Sequence, residues 1–152
     1  MIVISPYSRK LRNGNRNPKD YPYWKELIFL LPKDTHIVQV GIDGEEQLVD
    51  DFRVNLSIQE LRTLIRECNY WISCDSMFQH LAWDEGKKGI VLWSLSNPDI
   101  FGHPENINLL KDKAYLRQNQ FLWWEDVEYN ADAFIEPQEV IDAISLEFIN
   151  ES

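Results

Sequence analysis

Short runs of consecutive apolar residues recur along this chain, and between them apolar residues return at the spacing of a helix face. Ile2-Val3-Ile4, His36-Ile37-Val38-Gln39-Val40-Gly41, Tyr70-Trp71-Ile72-Ser73-Cys74 and Gly89-Ile90-Val91-Leu92-Trp93 are too apolar for strands with one wet face. Phe52 to Val54 reads as a further short strand. Strands buried on both faces and joined by helices predict an α/β fold, a Rossmann-like doubly wound parallel sheet in three layers. A chain of 152 residues fits one core, so residues 1–152 are read as a single domain.

The helices carry their own signals. Pro22 suits the first turn of a helix that places Trp24, Leu27, Ile28 and Leu31 on one face, and Pro32 stops it. Ser57 and Glu60 have the spacing of a capping box, and Leu61, Leu64, Ile65 and Cys68 follow on one side. Asp75 or Ser76 begins a helix that runs to Asp84, with Gly86 behind it. Pro137 opens a last helix, stapled by Ile135 against Val140, with Ile141, Ile144 and Phe148 on the buried side.

Acidic residues outnumber basic ones 25 to 15, and the net charge of -10 repels phosphate backbones and anionic lipid, which argues against nucleic-acid binding. No apolar run approaches the roughly 18–20 residues of a membrane span, and Met1 to Ser5 carries no basic leader, so the expectation is a cytoplasmic protein. Cys68 and Cys74 match neither a redox pair nor a zinc site and read as buried thiols. The charge is unevenly spread. Arg9, Lys10, Arg12, Arg16, Lys19 and Lys25 stand against the single acid Asp20, whereas every charge after Arg117 is acidic. Either this basic stretch is a local anion site or it is a solvated loop.

In an open parallel sheet the ligand crevice lies beyond the carboxyl ends of the strands. The loops at Ser5 to Lys19, Gly41 to Gln47, Asp75 to His80 and Ser94 to Pro104 fall there. At Cys74-Asp75-Ser76-Met77-Phe78-Gln79-His80 a strand runs straight into a helix start, whose free amides suit a pyrophosphate. The alternative is that Asp75 or Ser76 serves only as a cap and His80 only in packing.

Asp75-Ser76-Met77-Phe78-Gln79-His80-Leu81-Ala82, followed by Gly86, Gly89 to Trp93 and Ser96-Asn97-Pro98, resembles the "D-[ST]-G-x-x-H-L-A … G-x-P … G-x-[ST]-x-P" signature of glycosyltransferase family 9, the ADP-heptose:lipopolysaccharide heptosyltransferases. Ile4-Ser5-Pro6 with Asn17-Pro18-Lys19-Asp20-Tyr21-Pro22 is similar to that family's first strand, phosphate loop and lysine. Gly41 with Gly44-Glu45-Glu46 resembles its "G-x-x-x-E" loop, Leu56 to Leu61 its "L-x-[EL]-L" helix start, and Ile135 to Val140 its closing "I-x-P-x-x-V" helix. Nearly the whole chain is covered, by several weak motifs in the right order.

The resemblance implies the C-terminal, donor-binding half of a GT-B enzyme, with a nucleotide-diphosphate sugar as substrate or ligand and neither metal nor other cofactor. It implies that Ser8 and Lys19 contact the diphosphate, that Glu45 or Glu46 holds the ribose, and that Asp75, Ser76, Met77 and His80 surround the diphosphate and sugar. Met77 departs from the signature by replacing its glycine, and Trp123 and Trp124 stand where many members carry a cysteine-rich stretch. That Trp pair is expected in core or interface packing, and Phe121 to Trp124 leaves room for a self-contact. The chain opens on the first strand of the donor half, so the acceptor site and the base are expected from a separate partner or a second copy. Two other readings stand beside transfer: a non-catalytic nucleotide or nucleotide-sugar binder, and a scaffold with an empty crevice.

Overall fold

A computed structural model of the chain describes residues 1–149. Six strands, β1 (Ile2–Ser5), β2 (Ile37–Gly41), β3 (Asp51–Val54), β4 (Tyr70–Cys74), β5 (Ile90–Leu92) and β6 (Ile107–Leu109), form one sheet in the order β3-β2-β1-β4-β5-β6. Every pairing is parallel. The order grows outward from β1 in both directions, so β1 and β4 flank the switch point at which such sheets open a ligand crevice.

Strand alternation sorts the apolar residues onto two faces. Ile2, Ile4, Ile72, Ile90 and Leu92 pack on one side with α1 (Trp24–Leu30) and α5 (Pro137–Ile144). Val3, Val38, Val40, Trp71 and Val91 pack on the other with α2 (Ile58–Glu67) and α3 (Met77–Asp84). Both faces are covered, which is why β4 is buried from end to end. Cys68 and Cys74 are free and buried, as their spacing predicts.

Local signals hold where they are strong. Ser57 and Glu60 form the capping box of α2, and Ile135 and Val140 meet in the core at the start of α5. Pro22 does not enter the first turn of α1: the helix is capped at Tyr23, because Tyr21 must first reach the core, where its hydroxyl donates to the Ile135 carbonyl. The short α4 (Pro98–Phe101) and β6 are absent from the sequence reading. Trp123 is not a core residue, since it is 66% exposed beside the exposed Phe121 and Leu122. None of the described helices is long and apolar enough to cross a membrane.

Candidate functional site

The loop between β1 and α1 arches over the carboxyl ends of the strands and is tied down at several points. Trp24 Nε1 donates to the Pro6 carbonyl, the Ser8 amide to Asp20 Oδ1, Asn17 Nδ2 to the Arg9 carbonyl, and Ser94 Oγ to the Pro18 carbonyl. Tyr129 donates to the Asp20 carbonyl at 2.6 Å. The basic loop also meets the aromatic residues of the acidic C-terminal segment: Arg12 lies over Trp123, Arg16 over Tyr129, and Lys19 over Trp124. The two charge-biased ends of the sequence therefore build one wall together.

At the switch point this loop meets the turn after β4. Lys19 Nζ lies 3.4 Å from Asp75 Oδ2, and Gln79 Nε2 donates to Asp75 Oδ1 at 2.7 Å. Ser8 Oγ is 3.1 Å from the Asp75 carbonyl, to which it donates. Ser76 occupies the cap position of α3 in extended backbone, yet its side chain makes no capping bond. Its buried Oγ has no partner among the described residues. The first-turn amides of α3 therefore lack a side-chain cap at the floor of the crevice, where such donors attract anionic oxygen.

Met77 opens α3 without backbone strain, because Asn55 is the only non-glycine residue with positive φ among those described. Its side chain stands largely exposed at the rim, so the hollow is not plugged.

Ser8, Lys19, Glu45, Asp75, Ser76 and Met77 line a single hollow of about 560 Å³, closed on its apolar side by Val40, Leu56, Ile58 and Leu61. Glu46 faces an adjoining hollow of about 490 Å³ and is held at 3.0 Å by Lys25. Glu45 Oε1 accepts from the Ile42 amide, and burial raises the Glu45 carboxyl above its ordinary value. His80 does not reach the hollow. Its Nδ1 is 2.8 Å from His103 Nε2, which turns the ring toward the loop before β6. Burial, and then His103, lower the His80 pKa.

Three residues that the sequence reading did not assign to the site belong here. Asp20 is buried, and desolvation lifts it to about 6 against the lowering effect of the Ser8 amide. Gln79 fixes Asp75 from one helical turn away, a spacing that the sequence does display. Arg117 stacks on Trp124 at 3.6 Å, and the approach of these two residues to Lys19 is purely tertiary.

No protein-family model matches the sequence, and no curated protein does. Solved structures do match. ADP-heptose LPS heptosyltransferase II of E. coli superposes with a TM-score of 0.69 at 17% identity, over 99% of this chain and 47% of that one. The likeness establishes the fold. The iron-containing dodecameric glycosyltransferase TibC of enterotoxigenic E. coli gives 0.68 at 16% identity, over 99% and 47%. E. coli heptosyltransferase WaaC, solved with ADP, gives 0.62 at 16%, over 95% and 43%. The chain thus has the Rossmann-like α/β fold of a GT-B heptosyltransferase and spans about half the length of these neighbours. Among the described residues no group of three or more His, Cys, Asp or Glu is placed to hold a metal ion.

Proposed function

We propose that this chain is a cytoplasmic nucleotide-sugar donor-binding domain of the ADP-heptose type, equivalent to the C-terminal half of a GT-B glycosyltransferase, and that it transfers sugar only with an acceptor-binding partner. The observation that carries this is the Lys19–Asp75 pair beside the uncapped start of α3, at the switch point of the sheet. When a glycosidic bond to a diphosphate breaks, the electron pair leaves with the nucleotide. A lysine and preorientated amides stabilise that developing charge without reorganising. The apolar wall of the 560 Å³ hollow suits a nucleobase, and Glu45 at its edge suits ribose hydroxyls. The ligands of the neighbours, ADP in WaaC and ADP-D-β-D-heptose in TibC, support the same ligand class.

The need for a partner rests on the carboxylates. Asp75 is held by Lys19 and Gln79, Asp20 accepts from Ser8, Glu45 from Ile42, and Glu46 pairs with Lys25. All four are already engaged by a group of this chain, so none stands out as a base dedicated to an acceptor hydroxyl. The same fact favours the second reading, a binder that captures a nucleotide or nucleotide sugar without turnover. Calorimetry with ADP, ADP-heptose and UDP-sugars tests both, and absence of heat at millimolar ligand removes them together. Nucleoside diphosphate release, measured alone and with candidate acceptor proteins, separates transfer from capture. A second copy is one candidate partner, and sedimentation reads that directly.

A further inference from the structure

The crevice is not one chamber. Beyond the Lys19–Asp75 pair, on the side away from the 560 Å³ hollow, lies a second hollow of about 250 Å³. Lys19 and Asp75 line both, so the ion pair is the partition between them. At about 30 Å³ per water the smaller hollow holds the equivalent of roughly eight waters, the scale of one sugar ring and too little for a nucleotide.

Its far wall belongs to the C-terminal segment. Gln120 is fully committed there: its Nε2 donates to the carbonyls of Leu95 and Arg117, and its Oε1 accepts from the Asn97 amide. Arg117 lies against Trp124, and its two terminal nitrogens donate to the carbonyls of Trp123 and Gln120. Each of those nitrogens carries a second N–H, so a guanidinium fixed in place still has donors to offer. Ser96 is only 3% exposed and lines the same hollow, and Arg117 Nε is buried beside it without a hydrogen-bond partner among the described residues. A small, rigid hollow with uncommitted donors suits a group dense in oxygen acceptors.

We infer that the 250 Å³ hollow is the subsite for the glycosyl group of the nucleotide sugar, with Arg117 and Ser96 as the residues that select it. The inference rests on the nucleotide-sugar reading above. A ligand laid along the crevice then has its nucleoside in the larger hollow, its phosphates at the Lys19–Asp75 partition and a single monosaccharide beyond it. The wall that reads the sugar comes from Arg117 to Trp124, far along the chain from the phosphate loop.

Two variants test this against calorimetric titration with ADP, ADP-heptose, UDP and UDP-glucose. Ser96→Val narrows the hollow, and Arg117→Met removes its donors while keeping a long side chain. Arg117→Met is expected to lower the affinity for the sugar nucleotide by about tenfold or more, the usual effect of losing a hydrogen bond to a charged group, and Ser96→Val by roughly three- to tenfold, that of a neutral one. The matching diphosphate should change by less than about twofold, because Lys19 and the first-turn amides of α3 are unaltered in both variants. Equal losses for diphosphate and sugar nucleotide, or no loss for either, would overturn the subsite and leave nucleotide binding standing. If the unaltered protein binds neither ADP nor UDP, the nucleotide reading fails and the subsite with it.

Discussion

Lys19 Nζ stands 3.4 Å from Asp75 Oδ2, and this ion pair joins the loop after β1 to the turn after β4 where the sheet reverses its direction of growth. Three-quarters of the Lys19 side chain and more of Asp75 are shielded from water, so the contact is screened less than a surface pair. Lysine has three donors, and an incoming diphosphate can share the ammonium without displacing Asp75. Lys19→Ala is expected to weaken nucleoside diphosphate binding by roughly 1.5–3 kcal/mol, the range for a hydrogen bond to a charged group. Asp75 is then left facing the phosphates unpaired. Lys19→Ala with Asp75→Asn should therefore recover part of the loss. Unchanged affinity in the single variant would take Lys19 out of the site.

Asp20 makes the stability of the fold depend on pH. Burial raises its carboxyl to about 6, whereas in the unfolded chain it returns to the usual aspartate value near 3.9. Between those values the folded chain binds the extra proton. The contribution is fully present below about pH 4 and is lost as pH rises through about 6, by at most about 3 kcal/mol. Asp20→Asn keeps an acceptor for the Ser8 amide and removes the titration. Urea unfolding of both proteins from pH 4 to 7 should show the variant gaining on the parent as pH rises. A constant offset across that range would refute the assignment.

Gly89 sits against the indole of Trp71, where a Cβ would overlap the ring. Trp71 is fully buried and its Nε1 donates to the Lys87 carbonyl at 3.0 Å, so it cannot step aside. Gly89→Ala should cost about 1–3 kcal/mol by overpacking, seen as a lowered thermal midpoint, with nucleotide affinity of the folded protein retained. A midpoint equal to the parent's would mean that the strand entry to β5 has slack that the packing does not show.

The sequence displays the sheet because strands buried on both faces need unbroken apolar runs, and β1, β2, β4 and β5 have them. β6 lies at the sheet edge, spans three residues and is half-buried, so it leaves no run to read. α4 did leave a signal, Asn97 at the cap with Pro98 behind it, but four residues offer no periodicity to support it. That the loops holding Ser8, Lys19, Asp75 and Ser76 converge on one hollow follows from where strand ends lie, whereas the choice of Ser8 and Lys19 within them came from the family resemblance. The direction of His80 was not legible, since the partner that turns it, His103, is distant in sequence. Trp123 and Trp124 were read as packing residues from their bulk. The cations they pack against, Arg12, Arg117 and Lys19, are contacts that no local pattern encodes.

Gly41 offers a way to disturb the nucleoside side of the crevice without touching the core. A Cβ at this position would overlap Glu45 Oε1 and lie 3.3 Å from Phe52 Cε1. Glu45 is the end of a flexible side chain in a loop, held there by the Ile42 amide, so it gives way while the ring shifts only slightly. Gly41→Ala is therefore expected to leave the thermal midpoint within a few degrees of the parent and to swing Glu45 off its perch. If Glu45 holds the ribose hydroxyls, nucleotide affinity falls by about tenfold or more, the effect of losing a hydrogen bond to a charged group. Glu45→Ala should produce a loss of similar size, and the double variant no further loss, because both changes act through one carboxylate. Additive losses would show that Gly41 acts through the backbone of β2, and an affinity indifferent to all three variants would exclude Glu45 from the ribose.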